Sequence, residues 1–557
     1  MSYPVDGVGA HVPTYTPPPQ NDPAQTAQHV LDTGARSFRT DDYDARMVEL
    51  AKELSKGDAH FRRQVMTEIM KRDPDALRSW LTPERANAMR AGGRITLDEE
   101  GSVASGFASA YSHGDFGSYQ QNVGVDPKKG GDLTIKASAL DSWLGGYPTT
   151  AGNNLENAQH ARQFLDFINT SNAPDVAEFR QEYGKHLLDT YVVNSGYRAQ
   201  NQERSDAAAG IAANLLGGDS NHPEIAVDVL SDSKYKPDDV KTIMEAAARS
   251  NNLYSQDAIR NAAEQRHLNA RDNSVPNGSA LLFDAVALSK SPKADQLALQ
   301  FASLPTSSKD MFDPHLGSGG KNNVDGLTLA LNGHAKFVFD KLAVYNDDTV
   351  PGGERQYVLN ASQLGTLFKT TLFNPDSTYR NMLQDTITQY AGAQENAIAQ
   401  PGLNKNEADH LTVLAAGLTD GVRQGYADDA KARAAQKELL GMVVDIALAG
   451  LPAGKWVNGA VEKSLKAAFP DSQKLQDVLN GLSGKLVDTS QSKLTGEAKK
   501  AIVDALGARA GNLEIARNTA NDLKNSFFNA IDDQTPEKAN MQTRYNEILD
   551  AVAIARK

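Results

Sequence analysis

The sequence predicts an all-α protein, built as several helical bundles or an irregular helical array, and three observations carry that reading. Alanine is abundant while aromatic residues make up only 7% of the chain, a balance that favours helix packing over sheet. Apolar residues recur at the three- and four-residue spacing of a helix face along most of the length. Several stretches also open with proline at a first helical position and an acid in the first turn.

At 557 residues the chain exceeds what one hydrophobic core holds, so about three or four domains, or an extended array, are expected. Residues 1–40 are rich in Pro, Gln, Thr and Asp, and Thr16, Pro17, Pro18 and Pro19 read as extended, solvated backbone. That stretch is expected to be a disordered tail, serving as a docking or export leader or simply as a frayed terminus. It has neither the basic n-region nor the apolar h-region of a Sec-type signal peptide.

From residue 41 to 112 a small helical bundle is expected. Met47, Leu50, Ala51 and Leu54 share one face, and Phe61, Val65, Ile69 and Met70 follow after Gly57. Thr82, Pro83 and Glu84 start a further helix, and Thr96 with Glu99 makes a capping box for a helix running towards Tyr111. Between Ser112 and Asn154 the pattern dissolves into glycine-rich sequence in which only Leu133 to Ala137 alternates like a strand. Long irregular segments inside folded proteins are often functional, so 113–154 is both a candidate boundary and a candidate site.

Residues 155–304 read as a second helical domain. Val176, Phe179, Tyr183, Leu187 and Tyr191 form one stripe, and helix starts follow at His222-Pro223-Glu224, Lys236-Pro237-Asp238 and Ser291-Pro292. Their spacing is irregular, so no repeat of fixed period is present. Residues 305–360 read as a loop-rich connection containing PTSSKDMFDPHLGSGGKNN and YNDDTVPGGE. Residues 361–557 read as a carboxy-terminal helical domain, with helices over Ala361–Phe373, Met382–Ala399 and Glu407–Tyr426, and plain helix from Lys485 to Lys557.

Within that domain, 436–469 is the most continuously apolar stretch of the chain. Leu439 to Leu451 is almost uninterrupted by polar residues apart from Asp445, Pro452-Ala453-Gly454 breaks it, and Trp456, Val457, Val461, Leu465 and Phe469 continue on a second arm. Proline and glycine end one helix and start the next, so a buried helical hairpin is expected. Each arm falls short of the roughly 20 apolar residues that cross about 30 Å of hydrocarbon, and a carboxylate at mid-depth is costly. Core packing is therefore favoured over a membrane role, which would need triggered refolding. Leu439, Leu440, Val443, Val444 and Trp456 are the side chains such an element would offer to a membrane or a partner.

The search for chemistry returns little. A net charge of −13 with clustered lysine and arginine confined to short pairs argues against a nucleic-acid partner. The absence of cysteine removes disulfides, thiol nucleophiles and thiolate metal sites. None of the eleven histidines falls in an HExxH pattern, so no metal and no cofactor are expected; His160, His186 and His410 read as ordinary helical histidines. LGSGGKNN at 316–323 lacks the first glycine and the Ser/Thr of a phosphate loop and reads as a flexible loop. There is no GxSxG elbow. If a hydrolytic site exists, His113 and Asp115 in SHGDFG, with Glu99 nearby, are the candidates, through an oriented imidazole or paired acids. Glycine and aspartate are also the usual turn residues, so the same segment reads as a turn.

The polar, proline-rich leader, the cysteine-free alanine-rich helices and the late apolar stretch broken by LPAG together resemble the helical delivery or pretoxin regions of bacterial secreted effectors and polymorphic toxins. The resemblance is architectural and implies a protein held in the bacterial cytoplasm before being secreted or injected without a cleavable Sec signal. It implies protein partners: secretion machinery, a chaperone or a target. Three functions follow as expectations: an effector acting through helical interaction surfaces, a cell-wall hydrolase with a site near 99–154, or a membrane-perturbing toxin using 436–469.

Overall fold

A computed structural model describes residues 22–33, 40–73, 83–125, 130–138, 140–141, 167–168, 173–250, 278–313, 318–342, 359, 361–374 and 377–398. Beyond these it describes positions 414, 417–418, 421, 477, 480, 487–488 and 493–494. The described chain is mostly helical, as the sequence predicts, and packing groups it into two compact units. One comprises 1–122 with 134–182, the other 123–133 with 183–557.

The first unit holds α1 (Pro23–Asp32), α2 (Thr40–Lys56), α3 (Ala59–Arg72), α4 (Pro83–Ala91) and α5 (Leu97–Ser112). Their starts follow from local sequence. Asp58 caps α3 by accepting from the Phe61 amide at 2.8 Å, and Pro83 opens α4. The capping box of α5 is fully formed: Glu99 N–H donates to Thr96 Oγ1 at 3.2 Å and Thr96 N–H to Glu99 Oε2 at 2.7 Å. Leu50, Leu54, Val65, Met66, Ile69 and Phe107 are buried, so the stripes read at helix spacing do face the core. Phe107 packs against Phe116 and Phe179 at centroid distances of 5.2 and 5.5 Å.

Two expectations are corrected here. The tail expected over 1–40 contains α1, which buries Thr26, Ala27 and Val30; a proline at the first helical position and the Asp22 cap set a helix where composition alone suggested none. The segment expected to be irregular, 113–154, contains β1 (Ser118–Val125) and β2 (Asp132–Ser138), which form a two-stranded sheet. β2 alternates buried and exposed residues and is the strand visible in the sequence; β1 is mostly exposed, so its polar residues carry no period-2 signal.

Helix α6 (Pro174–Leu187) runs on into a π-helical turn, Leu188–Val192. In the second unit α7 (Ser195–Gln200), α8 (Gln202–Gly217), α9 (Glu224–Leu230) and α10 (Pro237–Arg249) come next. They are followed by α11 (Gly278–Leu288), α12 (Pro292–Ala302), α13 (Leu304–Ser307), a 3₁₀ turn (Lys309–Phe312) and α14 (Ser318–Phe339). Helices α15 (Ala361–Thr371) and α16 (Arg380–Ile398) complete the larger elements.

Helix α11, GSALLFDAVAL, is apolar on nearly every side and buried from Gly278 to Phe283, as expected of a helix surrounded by others. It packs against α8 and α14. Those crossings are close: a Cβ on Gly217 would lie 2.6 Å from the Leu281 carbonyl oxygen, and one on Gly326 2.9 Å from Phe283 Cβ. Phe283 is edge-on to Phe301 at 5.0 Å, while Phe339 joins Phe368 and Tyr390 at 6.3 and 5.3 Å.

The loop-rich connection expected over 305–360 is corrected as well, because α14, the longest described helix, lies inside it. Ser318 to Asn323 of LGSGGKNN form its first turns instead of a flexible loop. The reason is tertiary. Asn322 and Asn323 are fully buried; Asn323 accepts from Ser279 Oγ at 2.5 Å and donates to the Met311 carbonyl at 2.8 Å. Partners from α11 and the 3₁₀ turn satisfy side chains that read as loop-formers in isolation.

The plain helix expected from Lys485 onward is interrupted by β3 (Val487–Asp488), antiparallel to β4 (Lys493–Leu494). The apolar stretch 436–469, with Leu439, Leu440, Val443, Val444 and Trp456, lies outside the described residues. So do His160 and His410, most of Glu407–Tyr426 and most of Lys485–Lys557.

Candidate functional site

The three residues singled out for hydrolysis lie at the two ends of α5 and in the turn that follows it. Glu99 is engaged in the capping box at the start of α5. His113 is the C-cap at its other end, its Nδ1 2.8 Å from the Ser109 carbonyl oxygen. At a rise of about 1.5 Å per residue the two ends stand about 20 Å apart, so Glu99 shares no site with His113. Asp115 accepts from Arg63 Nε at 2.8 Å and Thr67 Oγ1 at 2.9 Å. The structure thus brings Asp115 to α3, tying that helix to the turn that follows α5. The Gly114 and Gly117 backbones at φ +75° and +73° complete that turn in the left-handed region that favours glycine.

Elsewhere, packing does bring imidazoles to carboxylates. His222 Nδ1 lies 2.8 Å from Asp219 Oδ2 in the turn before α9. His334 is buried, with Nδ1 2.7 Å from Asp295 Oδ1 on α12 and Nε2 2.7 Å from the Val286 carbonyl oxygen on α11. The backbone of His334 is non-helical, at φ −121° and ψ 19°, so these contacts hold α14 where it kinks.

A polar cluster on a partly exposed surface is built around the π-helical turn. One extra residue per turn reorients the side chains that follow it, and such turns are frequent at functional sites. Asp189, on the turn, accepts from Tyr235 Oη at 2.7 Å and pairs with Lys234. Asp232 pairs with Lys185 at the end of α6 and accepts from the Lys234 backbone N–H at 3.1 Å. The Lys234 ammonium also lies 5.0 Å from the Tyr235 ring centroid, within cation–π range. Next to Lys185 in sequence, His186 stacks on Tyr183 at 5.9 Å and meets Tyr191 edge-on at 6.2 Å. His186, read as an ordinary helical histidine, sits in this aromatic layer.

Electrostatics fix the protonation states of the cluster. Burial, then the hydrogen bond to Asp189, pushes the Tyr235 phenol well above its ordinary 10.0. The hydrogen bond to Asp232 raises the Lys185 ammonium, and the same bond, with the Lys234 backbone N–H, holds Asp232 low. The phenol is therefore a donor and the ammonium stays charged, so neither is activated as a nucleophile. What the arrangement offers is two cations, two anions and a hydroxyl held in fixed relative positions.

A pH dependence follows. A group whose folded pKa is raised contributes stability that is complete below its unfolded value and is lost as the pH rises past it. For Tyr235 and Lys185 those unfolded values are 10.0 and 10.5. For Asp232 the sign reverses, the contribution being lost as the pH falls through its depressed value. Urea midpoints compared at about pH 8 and about pH 11 are expected to fall, and Tyr235→Phe to make that fall shallower. An equal fall in the variant would show that the phenol plays no part.

Sequence inspection passes over this cluster because Asp189 and Tyr235 are far apart in the chain and neither belongs to a motif. Only the buried stripe through Tyr183 and Tyr191 was visible. Among the described residues no group of three or more metal-binding side chains occurs, and no described helix is long and apolar enough to cross a membrane.

No protein-family profile and no curated protein matches the chain. Among solved structures, the chain aligns with the crystal structure of an engineered protein at 10% identity, over 96% of this chain and 99% of that one, with a TM-score of 0.24.

Proposed function

We propose that the protein is an exported bacterial effector that acts through helical protein-interaction surfaces. The observation that carries this reading is the partly exposed network of Lys185, Asp189, Asp232 and Lys234, anchored by the buried Tyr235, around the π-helical turn. Its charges are held by one another before any partner arrives, so docking needs little further ordering of side chains. Alternating signs at fixed spacing favour a partner surface of complementary pattern and penalise mismatched ones. The proline-rich leader and cysteine-free helices of the sequence agree with passage through an export route.

In-cell crosslinking with the full chain tests the proposal. The expected result is a crosslinked protein partner that is lost when Lys234→Glu and Asp189→Lys are introduced singly. It is retained with Lys293→Glu, which alters an exposed ion pair with Asp228 on α9 and α12. A partner set unchanged by both substitutions at the turn, or no partner in any of the chains, overturns the reading.

A further inference from the structure

The His334 ring lies between two acceptors, the carbonyl oxygen of Val286 at 2.7 Å from Nε2 and Asp295 Oδ1 at 2.7 Å from Nδ1. A carbonyl oxygen only accepts, and so does an ionised carboxylate, so both contacts are hydrogen bonds only when each ring nitrogen carries a hydrogen. A neutral imidazole carries one and turns a lone pair towards the other oxygen, which repels it. The His334 side chain is only 6% exposed, so that lone pair has no water to turn to. Asp295 is 34% exposed, which gives the shared proton a route to solvent. Other charged groups of the elements packed here are engaged elsewhere or face away. Lys293 of α12 pairs with Asp228 at 2.7 Å and Lys336 of α14 with Asp340 at 2.6 Å, while Lys341 lies over the Phe337 ring at 5.7 Å. Asp284 of α11 is two residues from Val286, about 200° around the helix. Lys369 of α15 and Asp385 of α16 are exposed.

We propose that His334 and Asp295 form a proton-operated latch, which closes the kink of α14 onto α11 and α12 while it holds its proton and releases the kink when the proton leaves. The kink is where α14 depends on these contacts. The His334 backbone departs from helix, at φ −121° and ψ 19°, and a Cβ on Gly333 would lie 2.9 Å from the Ala287 carbonyl oxygen, so the two helices meet there backbone to backbone. Beyond it, Phe339 packs on Phe368 and Tyr390, and Tyr390 Oη donates to Asp340 Oδ1 at 3.0 Å. The sign of the pH dependence follows from counting protons. An imidazole in an unfolded chain gives up its proton near about pH 6.5, whereas the closed latch keeps it. Above that pH the closed form binds more protons than the open one, so closure is complete below about pH 6.5 and weakens as the pH rises, by at most about tenfold per pH unit. The latch shares no residue with the π-turn cluster and stands independently of the function argued above.

Hydrogen exchange of the full chain and of Asp295→Asn, read over residues 334–340 and corrected for the intrinsic pH dependence of exchange, is the test. Asparagine keeps the shape of aspartate and can turn its amide to donate to a neutral Nδ1, leaving the Nε2 hydrogen for Val286, so the variant closes without the extra proton. Protection in the unaltered chain is expected to fall at least about tenfold between about pH 6.5 and about pH 8.5, and in Asp295→Asn to change less than about twofold. Residues 207–213 of α8, away from the kink, are expected to change less than about twofold in both. A second measurement uses the unaltered chain alone. With histidine labelled by ¹⁵N, the His334 signal, assigned through contacts to Val286, is expected to show a hydrogen on both ring nitrogens at about pH 7. A single ring hydrogen at that pH overturns the proposal even where Asp295→Asn fails to fold. Protection over 334–340 that does not fall with pH, or that falls equally in the variant, overturns it as well.

Discussion

Asp325→Ala is expected to destabilise the second unit by about 2 kcal/mol, because it removes a fully buried carboxylate together with the charge-assisted hydrogen bonds that it accepts. The Asp325 carboxylate is completely buried. It accepts from the Thr378 backbone N–H at 2.8 Å and from Thr378 Oγ1 at 2.9 Å, with Lys321 Nζ at 3.5 Å. Alanine removes the acceptor of the Thr378 amide, whereas the hydroxyl of Thr378, an exposed residue, and Lys321, partly exposed, turn to solvent and add little. The double variant Asp325→Ala with Thr378→Val loses the shared hydroxyl–carboxylate bond only once, and is expected to fall about 1 kcal/mol short of simple addition. Urea denaturation followed by circular dichroism measures both. A loss below about 1 kcal/mol for the single variant would mean that water replaces the carboxylate at no cost.

The second large effect is expected at Phe283, where truncation to alanine costs about 3–5 kcal/mol. Its ring is fully buried, edge-on to Phe301 at 5.0 Å and tilted against Phe312 at 6.3 Å. It therefore joins α11, α12 and the 3₁₀ turn at one point. Gly326 of α14 lies directly against its Cβ, so that position of the helix has no side chain to collapse into the space. Phe283→Leu, which keeps most of the volume, is expected to cost about 1–2 kcal/mol. The same denaturation measurement applies, and equal losses for the two variants would count against a cavity as the cause.

Helix starts were legible because their signals are local. Thr96 and Glu99 lie within one turn of each other, and Pro237 and Pro292 preset the first helical dihedral. Buried faces were legible wherever a helix has one wet side, as along Val176, Phe179 and Tyr183. The same reasoning failed at α14, whose opening glycines and asparagines are loop-formers in isolation, Asn323 finding its partners in the distant Ser279 and Met311. It failed at β1, where exposed Gln and Asn residues carry no alternation.

The candidate site divides in the same way. His113 and Asp115 attracted notice as neighbours in sequence, but the ion pair to Arg63 draws the Asp115 carboxylate to α3. The π-turn cluster joins residues from two separate segments, and no spacing rule relates them.

By itself, then, the sequence determined the helical class, many of the helix starts and the faces those helices bury. Capping, proline geometry and period 3.6 act over only a few residues. Only the tertiary structure decided which polar side chains are paired, where α14 begins and kinks, and which charges meet around Asp189. Those outcomes depend on partners supplied from distant parts of the chain, and a buried polar group is stable only where such a partner reaches it.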